Sequence, residues 1–198
     1  DIKNAKEFIF LEFFIMKQGV MFDTLVAALE ERAKAGVHVR LIYDDMGCID
    51  EFPRHFYKEL QKKGIHVACF NPFRPFMSII MNNRDHRKIV VVDGKIAYTG
   101  GLNIADEYIN AIERFGHWKD TAVMLKGDAV KSFTLMFLQM WSVDTRNADF
   151  EEFKKYLEYD TFSKESRGYV IPYGDCPLDD DRLGERVYMD ILNRAHKY

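Results

Sequence analysis

Two side chains in this sequence belong to types that do phosphoryl chemistry and are spaced to act together: His86 and Lys88. They stand at the leading end of an apolar, β-branched run, Val90-Val91-Val92, and alternation along a strand sends residues two apart to the same face. Neutral imidazole is a nucleophile near pH 7. An ammonium beside it can hold phosphoryl oxygens and stabilise the charge that moves as a phosphate ester breaks. Asp93-Gly94 follows as a two-residue turn signal, with Ile96 to Thr99 as the return strand, so the segment reads as a buried β-hairpin. Asp93 lies an odd number of residues from both His86 and Lys88. Alternation places it on the opposite face and in the turn, which separates its role from theirs. A bare His-x-Lys also fits the solvated mouth of a strand.

The longer pattern narrows this. His86-x-Lys88-x4-Asp93-x6-Gly100-Gly101-x-Asn103 resembles the HKD signature of the phospholipase D superfamily. Within it, Glu12-Phe13-Phe14-Ile15, Asp85-His86-Arg87-Lys88, Tyr98-Thr99-Gly100-Gly101-Leu102-Asn103-Ile104-Ala105-Asp106-Glu107-Tyr108 and Trp118-Lys119-Asp120-Thr121 look most like bacterial cardiolipin synthases. The likeness covers nearly the whole chain. Gly101 departs from the wider superfamily, where many members carry Ser, and so removes a hydroxyl from the expected phosphate site. The resemblance implies His86, Lys88 and Asp93 as the catalytic motif, with Lys88, Asn103, Gly100 and Gly101 at the substrate phosphate. It also implies a carboxylate just before the strand after the hairpin, here Asp120, that orients His86 through its second ring nitrogen. A carboxylate on one ring nitrogen selects the tautomer that leaves the other free to attack.

With 198 residues and 47% hydrophobic composition the chain can bury a sizeable core. A formal charge of -3, from 28 basic and 31 acidic residues, argues against a general nucleic-acid binder. Cys48, Cys69 and Cys176 are scattered without metal-ligand spacing, which points to reduced thiols and no zinc site. The most apolar stretch, Phe8 to Met16, is interrupted by Glu12 and is too short to cross a membrane. The expectation is a piece of a longer protein, because the resembled family usually carries N-terminal membrane-spanning segments.

The elements that must position these residues alternate. Phe8 to Met16 reads as a strand buried on both faces, with Glu12 needing a partner, either a basic group in the catalytic cleft or a structural Arg. Phe22, Leu25, Val26 and Leu29 recur at helical spacing up to Gly36, Val37 to Tyr43 forms a strand, and Asp44, Asp45 and Gly47 end it. Pro53 opens a helix closed by Lys62-Lys63-Gly64, and Ile65 to Phe70 gives the next strand. This rhythm predicts an α/β lobe: a mixed, largely parallel sheet flanked by helices on both faces. Asn71 to Asn83, rich in Phe and Met, fits either a wall for acyl chains or packing beneath a helix. Further on, Ile104 to Ile112 reads as a short helix or ordered loop and Thr121 to Leu125 as a strand. Asp128 to Trp141 is an amphipathic helix, and Ala148 to Tyr159 a helix with a solvated Glu/Lys face. Lys164 to Gly168 reads as a linker, Tyr169 to Tyr173 as a short strand, Asp175 to Asp181 as an acidic turn and Arg182 to Ala195 as a helix.

Asp190-Ile191-Leu192-Asn193 echoes Asp1-Ile2-Lys3-Asn4, which suggests a second copy of the fold beginning at the end of the chain. Two units are therefore expected: residues 1–158 as a first lobe bearing the motif, and residues 159–198 as a linker and the start of a second. A nucleophile that becomes phosphorylated cannot also serve as acid and base, so the chemistry needs an opposing group. His38, His55, His66, His117 and His196 all lack the motif. The resemblance places the missing group in a second HKD lobe of the same protein or in a homodimer mate. It implies phosphatidyl transfer between two phosphatidylglycerols at the cytoplasmic side of the cell membrane, with no metal or cofactor and no nucleic acid as partner. A hydrolase of the same superfamily acting on phospholipid or nucleic acid, and a noncatalytic docking lobe, are the alternatives.

Overall fold

The computed structural model describes residues 1–53, 55–73, 82–114, 116–146, 149–159, 169–175 and 180–197. Six strands form one sheet in the order β3-β2-β1-β4-β5-β6, where β1 is Phe8–Phe13, β2 His38–Asp44, β3 His66–Phe70, β4 Ile89–Val92, β5 Ile96–Gly100 and β6 Ala122–Lys126. β1 pairs in parallel with β2, and β2 with β3; β4, β5 and β6 each add on antiparallel. The sheet is thus mixed, with its parallel pairings confined to the β1–β3 half. The reason is local. Helical crossovers join the first three strands and return each in the same direction, whereas Asp93-Gly94 folds β4 straight back into β5. Asp93 (φ 52°) and Gly94 (φ 62°) are both left-handed, and Lys95 N–H donates to the Val92 carbonyl at 3.0 Å. That is the I′ turn expected of this dipeptide.

Every residue of β1 is buried, because both faces are covered. On one face Ile9, Leu11 and Phe13 meet Phe22, Val26 and Leu29 of α1 (Val20–Lys34) and Leu60 of the short helix Tyr57–Lys62. On the other, Phe8 and Phe10 pack with Ile89 and Val91 against Val130, Phe133, Phe137 and Leu138 of the long helix Ala129–Thr145. Glu12 falls on this second face by alternation.

Three expectations need correction. The helix after residue 148 is confined to Phe150–Lys154 and then tightens, Tyr156 N–H bonding to Phe153 and Leu157 N–H to Lys154. Those tighter turns swing Tyr156 edge-on against Phe8 and Phe10, at 4.9 Å from each ring. Its Glu face is not merely solvated, since Glu152 pairs with the buried Arg40, whose guanidinium also lies over Trp141 and Tyr156. Burial raises the Glu152 carboxyl, and Arg40, Tyr156 and Lys155 together more than offset it, leaving a net lowering. Residues 169–173 form no strand; Tyr169 is 99% exposed and Ile171 81%, because their apolar alternation meets no sheet edge. The helix after residue 182 is present as Leu183–Arg194. Most of the Phe/Met-rich connection, the linker at 164–168, part of the acidic turn and Cys176 lie outside the described residues. Among the described residues no helix is long and apolar enough to cross a membrane.

Candidate active site

His86 and Lys88 lie just before β4, at the edge of the sheet where β1, β2 and β5 end and where β4 and β6 begin. One side chain supports both. The His86 ring packs on Phe14 with 4.9 Å between centroids, and the Lys88 ammonium stands 5.5 Å from the centre of the same ring. The expected shared face is therefore present, with Phe14 as its floor.

Lys88 is buried, and its Nζ donates to the His86 carbonyl at 2.8 Å. Burial lowers its pKa, with Asp85 and Asp120 pulling the other way. His86 is exposed at the mouth and partly shielded by its neighbours, among them Phe14, tilted 58° against it. That partial burial, followed by the Lys88 charge, holds its pKa below the ordinary value of 6.5, against the pull of Asp85 and Asp44. The pair thus favours a neutral imidazole beside a cation, the combination nucleophilic attack on a phosphodiester requires.

A buried carboxylate layer lies beneath. Glu12, Asp44 and Asp85 are 0%, 0% and 4% exposed. Burial pushes Asp85 above the usual carboxylate range, with the neighbouring Glu12 side chain and Arg87 pulling the other way. Arg87 approaches Glu12 at 3.9 Å. The two partners foreseen for Glu12 merge in this one residue, an arginine within the motif.

The remaining site residues separate. Asp93 lies five residues beyond Lys88, about 16 Å along an extended strand. Its carboxylate accepts the backbone N–H groups of Lys6 (2.9 Å), Glu7 (2.8 Å) and Phe8 (3.0 Å). It therefore braces the start of β1 from the hairpin turn, in keeping with a role separate from that of His86 and Lys88. Asn103 is buried; its carbonyl accepts from Ile15 N–H at 3.0 Å and its amide donates to the Tyr108 hydroxyl at 3.1 Å. It ties the exit of β1 to the loop after β5.

Gly100 and Gly101 make room rather than a cradle. A β-carbon on Gly100 would lie 2.5 Å from the Thr121 carbonyl oxygen, and one on Gly101 2.5 Å from Asp120 Oδ1. The glycines let the entry to β6 press against the exit of β5. A serine at position 101 would displace Asp120, which accounts for the absent hydroxyl. Asp120 accepts from the Trp118 indole at 3.1 Å and from Thr121 N–H at 2.7 Å. Its charge favours the protonated form of Lys88. Sequence reasoning assigned Phe14, Asp44 and Asp85 no role in the site, although Phe14 and Asp85 stand within the stretches that carry the resemblance and Asp44 was read only as a strand end.

Comparison with known proteins identifies the family. Residues 1–141 match a family model described as cardiolipin synthase, PLD-like domain. An uncharacterized protein of Streptococcus mutans is 53% identical over 195 residues, 98% of this chain and 42% of that one. A cardiolipin synthase of Staphylococcus aureus is 38% identical over 203 aligned residues, 100% of this chain and 40% of the relative. The chain thus spans about two-fifths of the length of these relatives. Among solved structures, the phospholipase D family member Nuc of Salmonella typhimurium aligns with a TM-score of 0.51, at 18% identity over 71% of this chain and 82% of that one. The phosphatidylserine synthase of Haemophilus influenzae gives 0.55, at 14% identity over 79% and 39%. At these identities the structural likeness is one of fold.

Proposed function

The chain belongs to the family of cardiolipin synthase, PLD-like domains, and from that premise we propose that it is one lobe of a phosphatidyltransferase that makes cardiolipin from two phosphatidylglycerols. A ring nitrogen of neutral His86, or of its counterpart in a second lobe, attacks the phosphorus of one phosphatidylglycerol. The bond from phosphorus to the headgroup glycerol breaks, and the departing oxygen takes a proton from the opposing histidine. The headgroup hydroxyl of a second phosphatidylglycerol then loses its proton to that same group, attacks the phosphohistidine and expels the imidazole. Lys88 balances the phosphoryl charge in both steps. Asp120 keeps Lys88 charged, and Asn103 fixes the loop that closes the mouth.

The observation that carries this reading is the pairing of a pKa-lowered imidazole with a buried ammonium on one aromatic floor. The names of the staphylococcal relatives support the product, and their greater length supports a second lobe, with residues 159–198 leading into it. The site would then work at the cytoplasmic face of the cell membrane, where its lipid substrate is held.

The test is turnover on phosphatidylglycerol vesicles. The whole protein should release glycerol and form cardiolipin in the presence of chelator. His86→Ala should abolish both while leaving the fold intact, and residues 1–198 alone should show no sustained turnover. Activity within a few-fold of the parent for His86→Ala, or release of choline or cleavage of DNA in place of glycerol release, would overturn the proposal.

A further inference from the structure

The two surfaces that hold His86 trace back to one turn. Helix α2 (Asp45–Cys48) follows directly on β2, and Asp44 caps it. Asp44 is wholly buried and does more than a cap requires. One oxygen accepts Met46 N–H at 2.9 Å, Gly47 N–H at 3.3 Å and Arg84 Nη1 at 3.3 Å; the other accepts Asp85 N–H at 2.9 Å. The residue immediately before His86 is therefore tied through its backbone to the end of β2. The same turn fixes the floor. Cys48 Sγ accepts Met16 N–H at 3.3 Å and donates to the Phe14 carbonyl at 3.7 Å. A β-carbon on Gly47 would fall on that same Phe14 carbonyl, so only glycine allows the turn to seat against β1.

We propose that Asp44 is a positioning residue, and that through it the turn 44–48 sets both the backbone of His86 and the Phe14 ring on which His86 and Lys88 rest. A helix of four residues has little stability of its own, so a buried carboxylate with four donors is more than its cap needs. Each bond instead bridges segments that converge at the mouth: the turn, the approach to β4 and the end of β1. Misplacement of a nucleophile by about 1 Å costs on the order of 100-fold in rate, which is the scale at which such a scaffold acts. The inference rests on the reading of His86 as nucleophile.

Its test separates the two. The ring proton of His86 is followed by NMR against pH in the 198-residue chain, with His86→Ala assigning the signal. Charged groups facing the ring are Lys88 from the approach to β4, Asp85 from that same segment and Asp44 from β2, above the Glu12–Arg87 pair. Asp44→Asn removes a negative charge that favours the imidazolium and sets an amide against backbone donors, so His86 should titrate at lower pH than in the parent. Phe14→Leu removes the ring tilted against His86 and lessens its burial, and the midpoint should move up toward 6.5. In the whole protein Asp44→Asn should lower kcat by about 10- to 100-fold with KM within about twofold, the signature of lost positioning rather than lost binding. A folded Asp44→Asn with unchanged titration and unchanged kcat overturns the proposal. Should that variant fail to fold, Phe14→Leu decides: a midpoint and kcat both equal to the parent's overturn it, and movement of both supports it. Full turnover by His86→Ala would remove the reading of function, and the titrations would still decide whether the turn governs His86.

Discussion

Replacing Asp93 tests whether the third letter of the motif is structural. Three backbone N–H groups converge on its carboxylate, and that of Phe8 is buried. Loss of a buried hydrogen bond to a charged group costs about 1.5–3 kcal/mol, whereas the half-buried Lys6 and Glu7 donors recover part of theirs from water. Asp93→Asn keeps one carbonyl acceptor but turns an amide toward the donors, so it should destabilise by about 2–3 kcal/mol. Asp93→Ala loses both oxygens and puts at φ 52° a residue that tolerates the left-handed conformation less well than Asp, whose polar side chain can bond locally. That adds about 1 kcal/mol, for a total of roughly 4–5. Urea denaturation followed by circular dichroism measures both. At 2–4 °C per kcal/mol for a chain of this size, Asp93→Asn should melt about 4–12 °C lower. The His86 NMR titration should be the same in both variants, because the brace lies at the other end of β4. A loss below about 0.5 kcal/mol, or a shifted His86 midpoint at full stability, would refute the assignment.

Two further outcomes follow from the site. Phosphatidyl transfer needs neutral His86, so the rate should rise with pH through a midpoint below 6.5, and it should fall at higher pH as the opposing histidine and then Lys88, itself with a lowered pKa, lose their protons; an acidic midpoint above 7 in a rate–pH profile would contradict this. Gly100→Ala drives a β-carbon into the Thr121 backbone and should cost about 1–3 kcal/mol, whereas Gly101→Ala meets only the end of the Asp120 side chain and should cost less than about 1 while shifting Trp118 fluorescence; equal losses in urea titrations would show that the two glycines do not act as described.

The order of elements, the two-faced core and the hairpin were legible in the sequence because their causes are local. An unbroken apolar run marks β1, the 3.6-residue period marks α1 and the long helix Ala129–Thr145, and Asp93-Gly94 demands an I′ turn. The pairing of His86 with Lys88 was legible for the same reason, since a two-residue spacing at a strand end fixes a shared face. Tyr169 to Tyr173 shows the limit of that logic: alternation makes a strand only where a sheet edge is free to receive it. What the sequence could not show is which distant groups meet. Glu12, Asp44 and Asp85 come from three separate segments, and their contact depends on where β1 and β2 end relative to the residues that lead into β4. Asp120 illustrates the same point from the other side. Its place in the chain suits a partner for His86, and only the fold shows that the indole of Trp118 and the N–H of Thr121 hold its carboxylate against Gly101. Residue types and spacing determined which groups could do the chemistry; strand register and close backbone approach, which are properties of the assembled sheet, decided which of them stand together.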